Sequence, residues 1–482
     1  MTEAGNTVVE HEEGLQQRLR EVQALLARHR IVEDLVRRQE MPRHHLVETL
    51  VHKQHLAELQ RRLDVMHPAD IAYILEALPL EERLFLWDLV KAERDGDILL
   101  EVSDPVRESL IEVMDPEELV AATEQLDTDE IADLAPDLPQ EVMQDVFLSL
   151  DVDEREQLRA AMSYEEDAVG ALMDFDMVTV RDNVTLEVVL RYLRLFDELP
   201  DHTDQLFVVD RQETLQGTLL LRHMLVADPE ATVGSVMVSA ALTLHPKDKA
   251  DSAAQAFERY ELVSAPVVDG DNRLVGRVTV AAVLDFIREE TEAERLSQAG
   301  LREGEDIYAP VFDSVRNRWA WLAINLVTAF ISSRVIGAFE GSIEKLVALA
   351  ALMPIVAGIG GNSGNQTITM IVRAIALGHV QPDKAPKLLV KELAVSLFNG
   401  LVWGGLLGVL AWWLYHSVAL GIVMTVAMTL NLLLAATVGV AVPLTMHRLG
   451  RDPAVGASVM ITAVTDSGGF LIFLGLATLF LL

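Results

Sequence analysis

One carboxylate, Asp466, lies well inside the apolar stretch that closes the chain, flanked by Thr462, Thr465, Ser467, Gly468 and Gly469. Burying an ionised carboxylate in hydrocarbon is costly, so such a residue normally faces a wet cavity or a partner and reads as part of an ion pathway. The plainer alternative is a structural pair with Lys391 or a protonated interhelical hydrogen bond. Upstream, Pro354-Ile-Val-Ala-Gly-Ile-Gly-Gly-Asn-Ser-Gly-Asn-Gln366 is rich in glycine and amides for a membrane interior. Its glycines and proline are expected to interrupt a helix and free carbonyls. Asn362, Asn365 and Gln366 offer neutral oxygens, which suits a polar cavity wall. Close helix packing through small residues competes with that reading and is compatible with it. A hard divalent cation prefers oxygen ligands, and magnesium gives up its waters reluctantly. One carboxylate with hydroxyls and amides can hold such an ion through its hydration shell. Two copies of Asp466, one from each subunit of a dimer, would supply the second charge that one chain lacks.

The elements that must position these residues are five apolar segments, roughly 319–339, 346–377, 388–414, 419–444 and 455–482, each longer than the roughly 20 residues a helix needs to cross a bilayer core. Arg316 and Arg318, then Arg373, Lys384, Lys387 and Lys391, then Arg448 and Arg451 all fall on one side if the helices alternate, which marks that side as cytoplasmic. The chain is thus expected to be a multi-pass protein of the inner (plasma) membrane, with its N-terminus inside and its C-terminus outside. Segments 340–345 and 415–418 read as outer loops, with Arg334 snorkelling toward that interface.

Charge divides the chain in two. From Ser314 onward ten Lys and Arg meet six Asp and Glu, so the first 313 residues carry −39 of a net charge of −35. Such a surface argues against nucleic acid and in favour of cations. There is no cysteine, hence no disulfide and no thiolate metal site. The first 30 residues lack the apolar core of a secretory signal, so the acidic half is expected in the cytoplasm.

Within that half, His67-Pro, Asp104-Pro, Asp115-Pro-Glu-Glu and Asp127-Thr-Asp-Glu each start a short amphipathic helix, and Leu-Pro stops at 78–79 and 138–139 suggest an irregular helical superhelix. Beyond Gly170 the pattern changes to short strands and helices, twice over. Gly170-Ala-Leu-Met answers Gly234-Ser-Val-Met, and Val208-Val-Asp with Leu215-Gln-Gly217 answers Val267-Val-Asp with Leu274-Val-Gly276. These resemble a tandem pair of CBS modules. The expected layout is a helical extension over 1–50, an all-α acidic N-domain over 51–168, α/β CBS modules over 169–229 and 230–287, a connecting (plug) helix over 288–313, and a five-helix transmembrane domain over 314–482.

In that order, and with Pro354-x6-Gly-Asn-Ser-Gly-Asn-Gln366 and Asp452-Pro-Ala…Thr465-Asp466-x-x-Gly469, the chain resembles the MgtE magnesium channel/transporter family after about Val32. The resemblance implies a homodimer in the lipid bilayer whose pore passes hydrated Mg2+, with Asp466 holding the ion and Thr462 contributing one turn earlier. It further implies regulatory Mg2+ that neutralises facing cytoplasmic acids and closes the pore. The matching positions are Asp129 and Asp133 in the N-domain, Asp251, Glu261 and Asp285 in the CBS pair, and Glu290 and Glu294 in the connecting helix.

Two positions depart from the family pattern. Ala282 follows Thr279 where an acid is expected, and Lys249 replaces another, so magnesium sensing should weaken. The missing acid also disfavours ATP on the CBS pair, as do Leu220 and His223 in the first module. A manganese or cobalt transporter with weak gating is the alternative, although a dedicated transition-metal path would be expected to show His, Cys or Met; His379 and His416 lie at loop ends. A CBS-regulated membrane sensor is a weaker reading. No phosphate loop, nucleophile elbow or His-Glu-x-x-His set points to an enzyme, and a CBS-bearing chloride channel would need more spans, placed before its CBS pair.

Overall fold

A computed structural model of the protein describes residues 14–30, 56–240, 242–301, 306–376, 385–449 and 457–482. Asp452, Arg451, Lys384, His379, most of 1–50 and the start of the last apolar segment lie outside these residues. The chain forms two compact units, one reaching Glu290 and taking in Asp306–Ala309, the other starting at Thr291 and resuming at Pro310.

The first unit opens with helices over 14–30 and 56–63 and continues through Pro68–Glu76, Leu80–Trp87, Asp95–Glu101, Asp104–Ile111, Pro116–Thr123, Thr128–Leu134, Gln140–Ser149 and Val152–Ala161. Local chemistry starts several of them. Pro occupies the first helical turn after His67 and Asp115, and capping boxes close on Asp115 with Glu118 and on Asp127 with Glu130. At 104 the cap is Ser103, and Asp104 is the first helical residue. Helix 14–30 shares the core of this domain through Val22 and Leu26, alongside Ile71, Leu75, Leu86, Ile98, Leu110 and Leu134.

The repeat has a polar signature. Arg83 donates from Nε to Leu75 O (3.0 Å) and from Nη2 to Leu78 O (3.2 Å). Arg107, 24 positions later, repeats this with Leu99 O (2.8 Å) and Val102 O (3.3 Å). Each arginine donates to two carbonyls at or just past the end of the preceding helix, where the intrahelical ladder runs out; Leu75 O also accepts from Leu78 N at 3.3 Å. Their remaining nitrogens meet Asp306 (2.8 Å) and Asp137 (3.1 Å).

In the CBS pair β1 (Thr179–Val180) runs parallel to β2 (Gln205–Val209), which pairs antiparallel with β3 (Leu215–Leu220); β4 (Ser264–Val268) and β5 (Leu274–Thr279) form the second hairpin. The shared aspartate of each hairpin has a clear task. Asp210 Oδ1 accepts from the N–H of Gln212 and Thr214, and Asp269 Oδ1 accepts from Asp271 and Arg273, building the same turn twice. The turns end in left-handed Glu213 (φ 64°) and Asn272 (φ 60°). They dock reciprocally, Leu215 N on Asn272 O and Leu274 N on Glu213 O, both 3.0 Å. From the end of β5 one continuous helix, Val280–Ala299, carries the chain out of the module.

In the second unit, Val311–Gly337, Ala385–Tyr415, Val418–Arg448 and Ala457–Leu481 are long and apolar enough to cross a membrane. Ala348–Ala376, a helix of 29 residues, lies where the second of the five expected spans was placed, and among the described residues four helices meet the length and apolarity needed to cross. The expected interruption of this helix does not occur. It runs unbroken through Pro354 and the glycine-amide stretch because the glycines serve close approach: a Cβ on Gly364 would lie 2.4 Å from Ile461 Cδ1 of the last span. Segment 340–345 is likewise a short helix rather than a loop, with Glu340 in its first turn and Lys345 in its last, complementing the helix dipole. Ser342 Oγ ties it to Thr478 Oγ1 at 2.8 Å. The fourth span, Val418–Arg448, is the most buried, and the first is the most peripheral.

The buried, fully bonded Arg83 generates a stability prediction. Arg83→Met should destabilise the helical domain by about 3–5 kcal/mol, because two helix-end carbonyls and Asp306 lose their partner together; chemical denaturation followed by circular dichroism checks this, and an unchanged midpoint would contradict it.

Candidate functional site

The acidic face of helix Thr128–Leu134 is the first candidate. The box between Asp127 N–H and Glu130 Oε2 (2.9 Å) fixes the first turn, so Asp129 and Asp133 project one turn apart on one side. Opposite stands Asp174, which sequence reasoning missed. Gly276 makes room for it, since a Cβ there would lie 2.4 Å from Met173 and 3.0 Å from Asp174 O. Arg277, 3 % exposed, holds the Asp174 carboxylate from Nε at 2.8 Å.

Burial, then the neighbouring Asp174 charge, pushes the Asp129 carboxyl up to about 8. Burial likewise raises Asp133 to about 7, opposed by Arg107 and reinforced by Glu289, Glu130 and Asp285. Glu130, Asp127, Asp174 and Glu289 move up for the same leading reason, and Asp127 also feels Asp176 and Asp201. The cluster therefore joins N-domain, CBS and connecting-helix acids within one unit, with too little positive charge to balance them. Of the expected regulatory residues, Asp129, Asp133 and Asp285 meet here. Glu290 and Glu294 lie further along the same helix as Asp285. Asp251 and Glu261 occupy opposite ends of helix Ala250–Tyr260 with exposed side chains, Glu261 as its left-handed cap (φ 51°). Lys249 lies 3.7 Å from Asp167, and Thr279 Oγ1 accepts from Ala282 N at 3.3 Å.

The second candidate is in the apolar unit. Gly361 and Gly364 bring the second long helix against the last, at Thr465 and Ile461. Beside that seam Asn362, Gln366 and Thr462 are exposed, and Asn365 and Asp466 are half-buried. Thr462 donates its hydroxyl proton to Ser458 O (2.9 Å), leaving the lone pairs of Oγ1 facing outward. Ser467 Oγ meets Ser332 Oγ of the first span at 2.9 Å. Among the described residues no cation pairs with Asp466. Lys391 lies instead 3.8 Å from Glu392, a nearly buried carboxylate at the head of the third span that sequence reasoning also missed. Its signal was the Lys-Glu pair at the start of an apolar run.

Among the described residues of one chain, no three acidic or histidine side chains converge into a ready-made cage for a bare metal ion. Oxygen donors spread over carboxylate, amide and hydroxyl suit an ion that keeps its waters.

Residues 353–476 match the MgtE family, described as a divalent cation transporter, residues 66–167 match the MgtE intracellular N domain, and residues 233–289 match the CBS domain. The magnesium transporter MgtE of Thermus thermophilus is 31 % identical over 429 residues, covering 88 % of this chain and 95 % of that protein. Its Bacillus subtilis namesake is 25 % identical, covering 87 % and 93 %. A crystal structure of the cytosolic domain of the Mg2+ channel MgtE in complex with ATP aligns at 29 % identity and a TM-score of 0.45, covering 50 % of this chain and 98 % of that one.

The acid cluster predicts a pH dependence. Asp129 and Asp133 hold protons in the folded protein that the unfolded chain, with carboxyls near 3.8, has released. Their stabilising effect is full below that value and is lost as the pH rises through about 7 and 8. In metal-free buffer the melting temperature of the first unit should fall by about 3 °C or more across that window, and added magnesium should restore it. Asp129→Asn should flatten the fall, and an unaltered fall in that variant would contradict the assignment.

Proposed function

The chain belongs to the MgtE family of divalent cation transporters, and on that premise we propose that it is a magnesium-selective channel whose pore forms between two copies. The observation that carries the reading is the strip of Asn362, Gln366 and Thr462 on the outside of a single apolar bundle, with Asp466 half-buried beside it. Amides, a hydroxyl and a carboxylate at membrane depth are costly against lipid tails and inexpensive against water, an ion or a facing copy of the same strip. Two strips related by a two-fold axis place two Asp466 carboxylates around one path. A hydrated divalent ion then donates hydrogen bonds from its waters to Asp466, Thr462 Oγ1 and the amide oxygens of Asn362, Asn365 and Gln366, without losing its shell.

Gating follows from the cytoplasmic acids. Magnesium bound among Asp129, Asp133, Asp174, Asp285 and Glu289 offsets their mutual repulsion and holds the N-domain on the CBS pair. When magnesium is scarce the acids repel, and the change passes into the helix that leaves β5 at Val280, which also carries Glu290 and Glu294. The CBS side senses magnesium weakly. Lys249, paired with Asp167, already supplies a fixed cation there, and Ala282 supplies no ligand. The same alanine disfavours ATP. Arg316, Arg318, Arg373, Lys387, Lys391 and Arg448 gather at one end of the alternating helices, which supports a cytoplasmic N-terminus, an outer C-terminus and residence in the cell's inner membrane.

Uptake of magnesium into liposomes tests the reading, with internal magnesium varied from none to about ten millimolar. Asp466→Ala should abolish uptake. The double change Asp129→Ala with Asp133→Ala should leave conduction intact and at least halve the inhibition by internal magnesium. Normal uptake by Asp466→Ala would overturn the pore assignment, and unaltered inhibition in the double variant would overturn the gate.

A further inference from the structure

Asn431 stands in the middle of the most buried span, is itself 0 % exposed, and has leucines at 430, 432, 433 and 434. Its Nδ2 donates to Val356 O of the second span at 2.9 Å. Its Oδ1 is buried with no hydrogen-bond partner. A buried amide oxygen left unpaired loses its hydration with no return, so an apolar side chain of the same size would make a more stable bundle. The amide needs a reason beyond packing.

Its surroundings supply one. A Cβ on Gly360 would lie 2.2 Å from Asn431 Nδ2 and 2.9 Å from its Cγ. On the other side, a Cβ on Gly469 would lie 2.7 Å from Nδ2, 3.0 Å from Cγ and 3.1 Å from Oδ1. The amide is thus clamped between two glycines, one on each helix that carries the polar strip. Gly360 is two residues before Asn362, and Gly469 is three after Asp466. A second tie on the last span, Ser467 to Ser332, lies beside Asp466. Ser467 and Gly469 bracket the rotation of the helix at Asp466, one toward the first span and one toward the fourth.

We propose that Asn431 is a positioning residue of the pore: clamped between Gly360 and Gly469 and bonded to Val356 O, its amide sets the spacing and rotation of the two helices that present Asn362, Asn365, Gln366, Thr462 and Asp466 to the ion. This rests on the pore reading above and deepens it. A hydrated ion is recognised through the spacing of oxygens around its shell, so a small rotation of Asp466 alters affinity and selectivity before it alters folding.

The test uses the full chain in liposomes, measuring the half-saturating magnesium concentration, the preference for magnesium over calcium, the maximal rate per folded protein and the melting temperature. Asn431→Leu should raise half-saturation about tenfold and narrow the preference, with the melting temperature equal to or above that of the parent. Gly469→Ala should do the same by pushing on the amide. Adding Asn431→Ala to Gly469→Ala should relieve the crowding but leave the affinity low, because the amide that sets the two helices, with its bond to Val356 O, is then absent. This pair keeps the test decisive should Asn431→Leu fail to fold. Variants that change only the maximal rate, with half-saturation and preference intact, would reduce Asn431 to a packing residue, as would recovery of the parental affinity by the double variant. Asp466→Asn run in parallel separates the two readings. Uptake retained there overturns the pore itself, whereas uptake lost there with unaltered Asn431 variants overturns only the positioning role.

Discussion

An ionisable oxygen inside hydrocarbon must face water, an ion or a partner group, and the membrane unit is organised around meeting that constraint at Asp466. No cation of the described bundle pairs with it, and the fourth span takes the central place that a pore-lining helix would otherwise fill. The second and last long helices pack against it and against each other, each leaving one face open. Their glycines turn inward to the seam and the clamp, while Asn362, Gln366 and Thr462 turn outward. The polar strip of one chain is left against its surroundings, and the facing copy proposed above would meet it without any new residue.

The same electrostatic logic recurs in the acidic first unit. Asp129, Asp133 and Asp174 are brought together by local features that fix each one on its own element: a capping box at Asp127, a glycine at 276 and an arginine behind Asp174. Burial and like charge leave Asp129 and Asp133 partly protonated near neutral pH, and a divalent cation would supply the missing charge more effectively than protons do. In the proposed pore and the proposed sensor alike, oxygens are placed where a cation would offset their burial or mutual repulsion.

Much of this was legible in the sequence because its signals are local. Helix starts at His67, Asp115 and Asp127 follow from capping chemistry spanning four residues, and the CBS hairpins follow from an aspartate-led turn that recurs in order. Asp466 was legible because a carboxylate is conspicuous among leucines. The acids that matter through tertiary approach were not. Asp174 and Glu289 gain their character only from what packs against them, and nothing in a run of 74 acidic residues distinguishes them. The glycine-amide helix was misjudged for a related reason. Glycine weakens an isolated helix, but between tightly packed neighbours the absence of a side chain is what allows the helix to exist there. Asn431 gave no sequence signal beyond a lone amide in an apolar run.

Because the chain has no cysteine, one introduced thiol can test whether the polar strip faces a second copy across a wet path. The measurement is the reaction of Thr462→Cys, in native membranes, with a short bifunctional thiol reagent, beside Leu406→Cys on an exposed apolar face of the third span. The account predicts a covalent dimer for Thr462→Cys and its slower formation when magnesium is added, with no dimer for Leu406→Cys. A Thr462→Cys protein that stays monomeric, and that reacts only with lipid-soluble thiol reagents, would contradict it.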